Sequence, residues 1–268
     1  MIRIPAVAGH FYPADPKALG EMVASSLSSP QGTPEKVIAL MAPHAGFIYS
    51  GKVAGATYGR VAIPRRIVLL GPNHTGRGAP LSIWDRGEWQ MPGGTVPVDT
   101  ALCDGLKRHC VALISDFEAH RREHSLEVQI PFLQRRCGAL RFAPIVVGTS
   151  GLEELRTLGQ GIASAVRESG EDILIVISSD MTHYEPAEEA ARKDRLALER
   201  MESMDPEGLH RVVREKAISM CGFAPAVAAL FAARDLGAHS GRLVAYAHSG
   251  EVSGDYLEVV GYAGMIFS

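Results

Sequence analysis

The sequence predicts a single α/β domain, residues 1–268, with a mostly parallel central sheet flanked by helices. Two patterns predict this fold class. Short runs rich in Val, Ile and Leu alternate with longer segments of helical periodicity, as they do in repeated βα units. Several of the apolar runs are nearly continuous, which is typical of strands that are covered on both faces. Because no internal repeat, low-complexity tract or linker-like stretch divides the chain, one domain is expected.

Six strands are expected at the apolar runs, each of which is followed by glycine, proline or polar residues. The predicted strands cover residues 36–42, 65–71, 140–148, 171–179, 242–248 and 257–267. Seven helices are expected from the longer periodic segments. The predicted helices cover residues 15–28, 50–61, 99–109, 124–137, 151–168, 186–202 and 224–236.

Local signals support some of these elements. Ser150 and Glu153 have the spacing of a capping box at a helix start. The helix 186–202 opens with proline and acidic residues and ends with basic ones, which suits the helix dipole. Residues 76–98 are expected to form a hairpin-like excursion instead of a βα unit. Residues 249–256 are expected to form the turn between the last two strands.

Charge and composition exclude several classes of protein. The chain has 46% hydrophobic residues and a formal net charge of −3, without a long run of one sign. Non-specific nucleic-acid binding needs a basic face, so no nucleic-acid partner is expected. No apolar stretch approaches the roughly 20 residues that span a bilayer, and the N-terminus lacks a signal-peptide pattern. The four cysteines form no C-x-x-C pair. We therefore expect a cytoplasmic protein without a membrane partner.

Polar side chains follow three of the predicted strands where the strands end. They are His44, His74 and the pair Asp180 and His183. Ligands of open α/β sheets bind outside the carboxyl ends of the strands, so the fold can bring these side chains together. Two or three imidazoles with a thiolate or carboxylate form a common first-row metal site. Alternatively, Asp180 and Asn73 are turn residues that bind the backbone, but this does not account for three histidines.

Cys221, in "CGFAP", directly precedes an alanine-rich predicted helix. The N-terminus of a helix lowers the pKa of a thiol and favours the thiolate, which is the form that binds metals. The alternative is a small buried apolar side chain. The residues alone leave both interpretations open.

The stretch "HRREH" at 120–124 matches the H-x-x-E-H pattern of inverted zinc proteases. In a helix, His120 and His124 would share one face, with Glu123 as the general base. The preceding residues favour a strand or loop, however, and a five-residue match arises easily by chance. Alternatively, His124 and Glu127 form an ordinary polar pair on a helix face.

The stretch "GHFYPADP" near the N-terminus is expected to form a packed arm, with Asp15 at the start of the first helix. The alternative places His10 and Tyr12 in one wall of a pocket near the site. Three further histidines have no motif around them and are expected on the surface: His109, His210 and His239.

Six separated stretches, taken in order, resemble the Memo family: "GHFYPADP", "APHAGFIYSG", "GPNHTG", "EHSLEVQIPFLQ", "SSDMTHY" and "CGFAP". The resemblance runs essentially from end to end. It implies a single Memo-like domain with a fold similar to the extradiol, ring-cleaving non-haem iron dioxygenases. It also implies that His44, His74 and Cys221 ligate a metal, with Asp180 and His183 beside it as acid–base groups. His10, Asn73 and His124 are further candidates for the pocket.

The metal and the partners follow from the same resemblance. The related dioxygenases use two histidines and a carboxylate. Because Cys221 would replace the carboxylate, ring cleavage does not carry over; iron or copper is favoured as the single transition metal, and zinc is possible. Eukaryotic relatives are linked to copper-dependent redox chemistry, iron handling and phosphotyrosine peptides. Prokaryotic relatives are often encoded beside a radical-SAM enzyme and an AMMECR-type protein, the AmmeMemoRadiSam system.

Three functions remain open from the sequence. The first is a metal-dependent oxidoreductase in which His183 moves a proton and Asp180 orients it. The second is a non-catalytic binding module that uses an enzyme-like cleft for a peptide or small molecule. The third is a metal-dependent hydrolase, either through "HRREH" or through a metal-bound water at the main site.

Overall fold

In a computed structural model, which describes residues 1–27 and 33–268, the chain forms one α/β domain around a mixed sheet of nine strands. A small sheet of three strands packs beside it. The strands are β1 (Ile2–Arg3), β2 (Ala39–Ala42), β3 (Arg66–Pro72), β4 (Leu81–Ile83), β5 (Glu88–Met91), β6 (Gly94–Pro97), β7 (Ile114–Ser115), β8 (Arg141–Val147), β9 (Ile173–Ser178), β10 (His183–Glu185), β11 (Gly241–His248) and β12 (Val259–Phe267).

Ten α-helices lie in the described part of the chain, together with one 3₁₀ helix at Glu127–Gln129. The α-helices are α1 (Pro16–Ser26), α2 (Phe47–Arg60), α3 (Thr100–His109), α4 (Glu118–Arg121), α5 (Ile130–Arg136), α6 (Leu152–Ser169), α7 (Ala187–Glu202), α8 (Pro206–Glu215), α9 (Phe223–Asp235) and α10 (Gly250–Ser253). No helix among the described residues is long and apolar enough to span a bilayer.

The main sheet has the strand order β10-β12-β2-β9-β3-β8-β4-β7, and β11 pairs with β12. The four central strands β2, β9, β3 and β8 are parallel to one another, as the continuous apolar runs predict. The flanking strands make the sheet mixed: β12 is antiparallel to β2, and β4 is antiparallel to β8. A short connection joins β11 to β12, and such a connection permits only antiparallel pairing.

All six predicted strands are present, and six of the seven predicted helices begin and end within a few residues of their expected bounds. Residue 28, the predicted end of the first helix, lies outside the described residues. Asp15 caps that first helix, as expected, because its side chain accepts the Ala18 N–H at 2.8 Å. The turn predicted at 249–256 joins β11 to β12 and contains the short helix α10.

The expectation of one helix over 124–137 was wrong. The chain turns at 122–126, forms the 3₁₀ helix, and begins α5 only at Ile130. Pro131 stands in the first turn of α5, where a missing N–H costs nothing. The capping box was also wrong, because Gly151 is the N-cap of α6 and no side chain caps it. Helix α8 was not predicted; Asp205 caps it by accepting the Gly208 N–H.

The stretch 76–98 leaves the main βα pattern, as expected, and contains two different parts. Its first strand, β4, joins the main sheet beside β8. Its second part is the antiparallel hairpin β5–β6. β1 pairs with β5, so the N-terminal arm is attached to this hairpin.

Helix α9 lies against the central strands and has almost no exposed side chain from Ala224 to Ala233. Its sequence is apolar around the whole circumference, which suits a helix covered on every side. Helix α6 approaches it closely at Gly159. A Cβ at Gly159 would lie 2.5 Å from the backbone oxygen of Ala228. The close packing of these two helices therefore depends on a glycine.

We expect Gly159→Ala to lower the free energy of unfolding by ~1–3 kcal/mol, because the new methyl group meets the backbone of α9. The matched control is Gly20→Ala in α1, where nothing lies within 4 Å of the added atom. The control should be neutral or stabilise by ~0.4–1 kcal/mol. Urea denaturation of both variants measures this, and equal stabilities would contradict the packing argument.

Candidate metal centre

The candidate metal centre lies at the carboxyl ends of neighbouring strands. His44 is two residues beyond β2, His74 is two beyond β3, and Asp180 is two beyond β9. These strands adjoin in the order β2-β9-β3, so the three loops meet at one edge of the sheet. Cys221 lies directly before α9, which begins two residues later. The prediction that the strand ends converge is confirmed for His44, His74 and Asp180.

Three side chains bring possible ligand atoms together. The ligand atoms of His44, His74 and Cys221 all lie within 4.8 Å of one another. His44 Nε2 is 3.2 Å from Cys221 Sγ, and the rings of His44 and His74 are 5.1 Å apart. Zinc binds nitrogen at ~2.0–2.1 Å and sulfur at ~2.3 Å, and the ligands of such a tetrahedral site are roughly 3.3–3.8 Å apart. The three residues therefore fit a first-row metal ion after small side-chain adjustments.

Glu123 orients His74. Its carboxylate is fully buried and accepts both the backbone N–H of His74 at 2.6 Å and, at 2.9 Å, the ring Nδ1 of the same residue. A carboxylate can only accept, so the imidazole carries its proton on Nδ1 and leaves Nε2 free for a metal. Ser125 donates a third hydrogen bond, from its backbone N–H.

The pKa values reflect this pairing. Burial alone would raise the pKa of Glu123, but the hydrogen bond and charge of His74 lower it to about 2. Burial lowers the pKa of His74, and the bond to Glu123 more than reverses this, so the pKa is raised overall. The sequence reading considered Glu123 only as a protease base. The signal that could have placed Glu123 near the site is its position directly before His124 in the "EHS" stretch.

Asp180 binds the backbone of the loop that carries His44. Its Oδ1 accepts the backbone N–H groups of His44 at 2.7 Å and Ala45 at 3.3 Å. Its Oδ2 lies 3.9 Å from His44 Nε2. Burial raises the pKa of Asp180. Asp180 therefore binds the backbone of another loop, and one of its oxygens also faces the ligand group, which consists of His44, His74 and Cys221.

Of the two interpretations of Cys221 that the residues leave open, the surroundings in the structure favour a neutral thiol over a thiolate stabilised by the helix N-terminus. Burial and the nearby Asp180 carboxyl raise the pKa of the thiol well above its usual range. Only glycine fits at position 222, because α9 begins directly against the end of β9. A Cβ there would clash with Ser179 and the Ser178 carbonyl. Glycine at position 222 therefore allows Cys221 to approach the Asp180 loop, where its Sγ lies 3.3 Å from the Asp180 backbone nitrogen.

His124 belongs to the site. Its ring stacks on His74 with centroids 4.6 Å apart and meets the edge of His44 at 5.4 Å. Phe11, from the N-terminal arm, covers it at 4.7 Å. Burial and the charge of His44 lower the pKa of His124 to about 4. His124 also forms a second possible ligand group with His74 and Glu123.

Both helical interpretations of "HRREH" were wrong. Helix α4 ends at Arg121, before Glu123, so the two histidines do not share a helix face. His120 is buried beside Trp84 and Trp89, away from the ligand group. Glu127 makes no pair with His124. It binds the N-terminal arm instead, through Arg3 and the Tyr12 hydroxyl.

His183 lies beside the ligand group but outside it. Its Nδ1 is 3.0 Å from the Ser219 carbonyl oxygen, which leaves Nε2 free. A positive charge on His183 would lower the pKa of both Asp180 and His44, which indicates that the three residues are close neighbours. Strand β10 holds His183 against β12.

The structure does not bring Asn73 and His10 into the ligand group. Asn73 accepts the Thr75 N–H and hydroxyl and donates to the Arg77 carbonyl, as a turn residue does. His10 is exposed in the arm, and its neighbour Phe11 makes the contact with the site. A cavity of about 610 Å³ opens near Arg65 and Arg141, at the amino ends of β3 and β8, and none of the predicted ligands lines it.

Comparison with known proteins gives a consistent result. The family model described as "Memo-like protein" matches residues 3–266. A MEMO1 family protein from Aquifex aeolicus is 43% identical over 267 residues, 99% of each chain. One from Methanopyrus kandleri is 40% identical over 280 residues, 100% of this chain and 99% of that one. One from Methanothermobacter thermautotrophicus is 39% identical over 98% of this chain and 99% of its own length.

We expect His120→Phe to reduce the loss of stability in acid. Burial, with the charge of Arg3, lowers the pKa of His120 from 6.5 to about 3. Between these values the unfolded chain binds a proton that the folded chain does not, so stability falls as the pH falls. The wild-type loss from this residue approaches ~1.4 kcal/mol per pH unit. Denaturation at a series of pH values should give a smaller slope for the variant, whereas an unchanged slope would contradict the assignment.

Proposed function

This chain belongs to the Memo family, and we propose that it holds one first-row transition metal at His44, His74 and Cys221 for an oxidation–reduction reaction. One observation carries the proposal. Ligand atoms from three separate loops lie within 4.8 Å of one another at the carboxyl edge of the sheet. Structural sites of this kind usually have four protein ligands. A set of three leaves room for a substrate.

The ligands indicate which metals suit the site. Imidazole nitrogen binds iron, copper and zinc, and a thiolate sulfur shifts the preference towards softer ions. We therefore favour iron or copper and keep zinc as a possible occupant. Iron or copper would supply one-electron chemistry, whereas zinc would supply only an electrophilic centre. The protein would orient the substrate and move protons.

The charges around the site suit a cation. Burial keeps the Cys221 thiol neutral and raises the pKa of Asp180. Metal ions bind deprotonated ligands, so a cation would take the place of the Cys221 thiol proton. Removing water from two negative groups is costly unless a positive charge is present. A bound cation would therefore offset the cost of removing these groups from water.

The residues around the ligands divide into a closed side and an open side. The side chain of His44 is 2% exposed, whereas that of His74 is 32% exposed and that of His124 is 21% exposed. Substrate would approach beside His74 and His124. His183, with Nε2 free, is the candidate for holding or moving a proton, and Asp180 fixes the loop that carries His44.

A second candidate function is a binding module without turnover. Two large apolar side chains next to the ligand loops are exposed, Ile48 at 63% and Tyr184 at 73%. Exposed apolar surface of this kind often marks a contact with a peptide or small molecule. The binding module predicts ligand affinity that survives removal of the metal, and the oxidoreductase predicts that it does not.

The cellular setting is part of the proposal. The four cysteines are free in the structure, and a thiol ligand needs reducing surroundings, which supports a cytoplasmic location. The family resemblance supports a functional link with a radical-SAM enzyme and an AMMECR-type protein.

Metal analysis of protein purified without a histidine tag tests the ligand set. Wild type should contain near-stoichiometric metal, and His44→Ala, His74→Ala and Cys221→Ser should lose at least tenfold in affinity. Cys137→Ser, remote from the site, is the control for loss of a thiol. Wild type that also refuses added Fe(II), Cu(I) and Zn(II) would favour the binding module. If protein loaded with Fe(II) or Cu(I) gives up no electron to a chemical oxidant, the redox part of the proposal alone fails.

We expect Glu123→Gln to weaken metal binding by ~10–100-fold, because the neutral amide no longer fixes the His74 proton as strongly on Nδ1. The matched control is Glu118→Gln, an exposed partner of Arg121 in the same segment. Competition titrations with a chelator measure both affinities. Equal affinities for the two variants would show that Glu123 does not orient the ligand.

A further inference from the structure

A chain of buried hydrogen bonds runs inward from the Nδ1 atom of His44. Nδ1 is 2.8 Å from Ser178 Oγ, and Ser178 Oγ is 2.8 Å from Gln129 Nε2. Gln129 Oε1 is in turn 2.8 Å from the hydroxyl of Tyr58. All four side chains are almost completely buried, so water cannot replace a missing partner. The proton positions can therefore be worked out by counting donors and acceptors.

The amide orientation of Gln129 is fixed by its surroundings. Its Nε2 lies 3.0 Å from the Pro43 carbonyl oxygen and 3.3 Å from that of Ala42. Carbonyl oxygens only accept hydrogen bonds, so the NH₂ group must be on this side. One of its hydrogens points to these carbonyls, and the other is donated to Ser178 Oγ. The opposite oxygen accepts from the Tyr58 hydroxyl.

The hydroxyl hydrogen of Ser178 is fixed in the same way. Ser178 Oγ is 2.6 Å from the backbone carbonyl oxygen of Ser125, which again can only accept. The single hydrogen of Ser178 is therefore donated there. Towards His44 the hydroxyl oxygen has only lone pairs left, so it must accept from Nδ1.

We propose that Ser178 and Gln129 are positioning residues that hold His44 in the tautomer with its proton on Nδ1. Nε2 then carries a lone pair and faces Cys221 Sγ, 3.2 Å away. The role of this tautomer in ligating a metal rests on the function proposed above. The tautomer itself is a property of the protein alone.

Ser178 is the residue whose loss should matter most. In Ser178→Ala the Nδ1–H of His44 loses its acceptor in a buried place, so the other tautomer and other ring orientations become competitive. Loss of the group that orients a histidine ligand typically costs ~10–100-fold in metal affinity. The matched control is Ser82→Ala, because Ser82 is a buried strand serine in the same sheet whose hydroxyl faces the Val146 carbonyl.

The test combines two measurements. Nitrogen-15 NMR of metal-free protein with labelled histidines reports which ring nitrogen of His44 is protonated, with the signal assigned by its absence in His44→Ala. Titration with Co(II), followed by its visible absorption, gives the metal affinity of wild type, Ser178→Ala and Ser82→Ala.

The expected result is Nδ1–H at His44 in wild type, a growing Nε2–H fraction in Ser178→Ala, and Co(II) affinity lowered ~10–100-fold in that variant alone. Nε2–H in wild type would overturn the proposal, and so would a Ser178→Ala protein that keeps both the tautomer and the affinity. If wild type binds no Co(II) or other metal, the proposed function fails, and the wild-type tautomer alone still decides this inference. The wild-type spectrum also decides it if Ser178→Ala does not fold.

Discussion

The ion pair between Arg3 and Glu127 orders the surroundings of the site. Both side chains are buried, at 1% and 0% exposure, with the charged atoms 2.7 Å apart. Glu127 also accepts from the Tyr12 hydroxyl and from two backbone N–H groups of the arm. Leaving one buried charge without its partner costs ~3–5 kcal/mol. The arm therefore stays bound to Glu127. The arm in turn places Phe11 over His124, and the Phe11 carbonyl accepts the first N–H of α2.

One short segment, residues 122–129, connects this arm to the candidate metal centre. Glu123 binds His74, Glu127 binds the arm, and Gln129 reaches the loop that follows β2. Three inward-pointing polar side chains, spaced two or four residues apart, cannot all be satisfied on one side of a regular helix. This explains why the helix that was expected over 124–137 does not begin until Ile130. Hydrogen bonding to other loops outweighs local helix propensity here.

The parts of the site that were predictable follow from the geometry of parallel sheets. Strand ends locate His44, His74, Asp180 and His183 because apolar runs are visible in the sequence and their carboxyl ends share one edge. Cys221 was ambiguous from the residues and was identified through the family resemblance. Glu123, Ser178 and Gln129 could not be found in this way, because their roles depend on contacts between distant segments. Their residue types are also common in loops and on helix surfaces.

Two opposing effects, the helix N-terminus and burial, act on the pKa of the Cys221 thiol. Helix α9 begins beside Cys221 with no capping side chain, and a helix N-terminus is worth ~0.3–1 kcal/mol to a nearby negative charge. Burial shifts the pKa of an ionisable group by up to ~3–5 units when it is complete, which is several kcal/mol against the charged form. Cys221 is half-buried, so its shift is a part of this range. Burial therefore dominates in the protein alone, and the helix only reduces the penalty. A cation between His44 Nε2 and the sulfur would reverse the balance, since it opposes the desolvation cost directly. The burial that keeps the thiol protonated would then strengthen its bond to the metal, because opposite charges attract more strongly away from water.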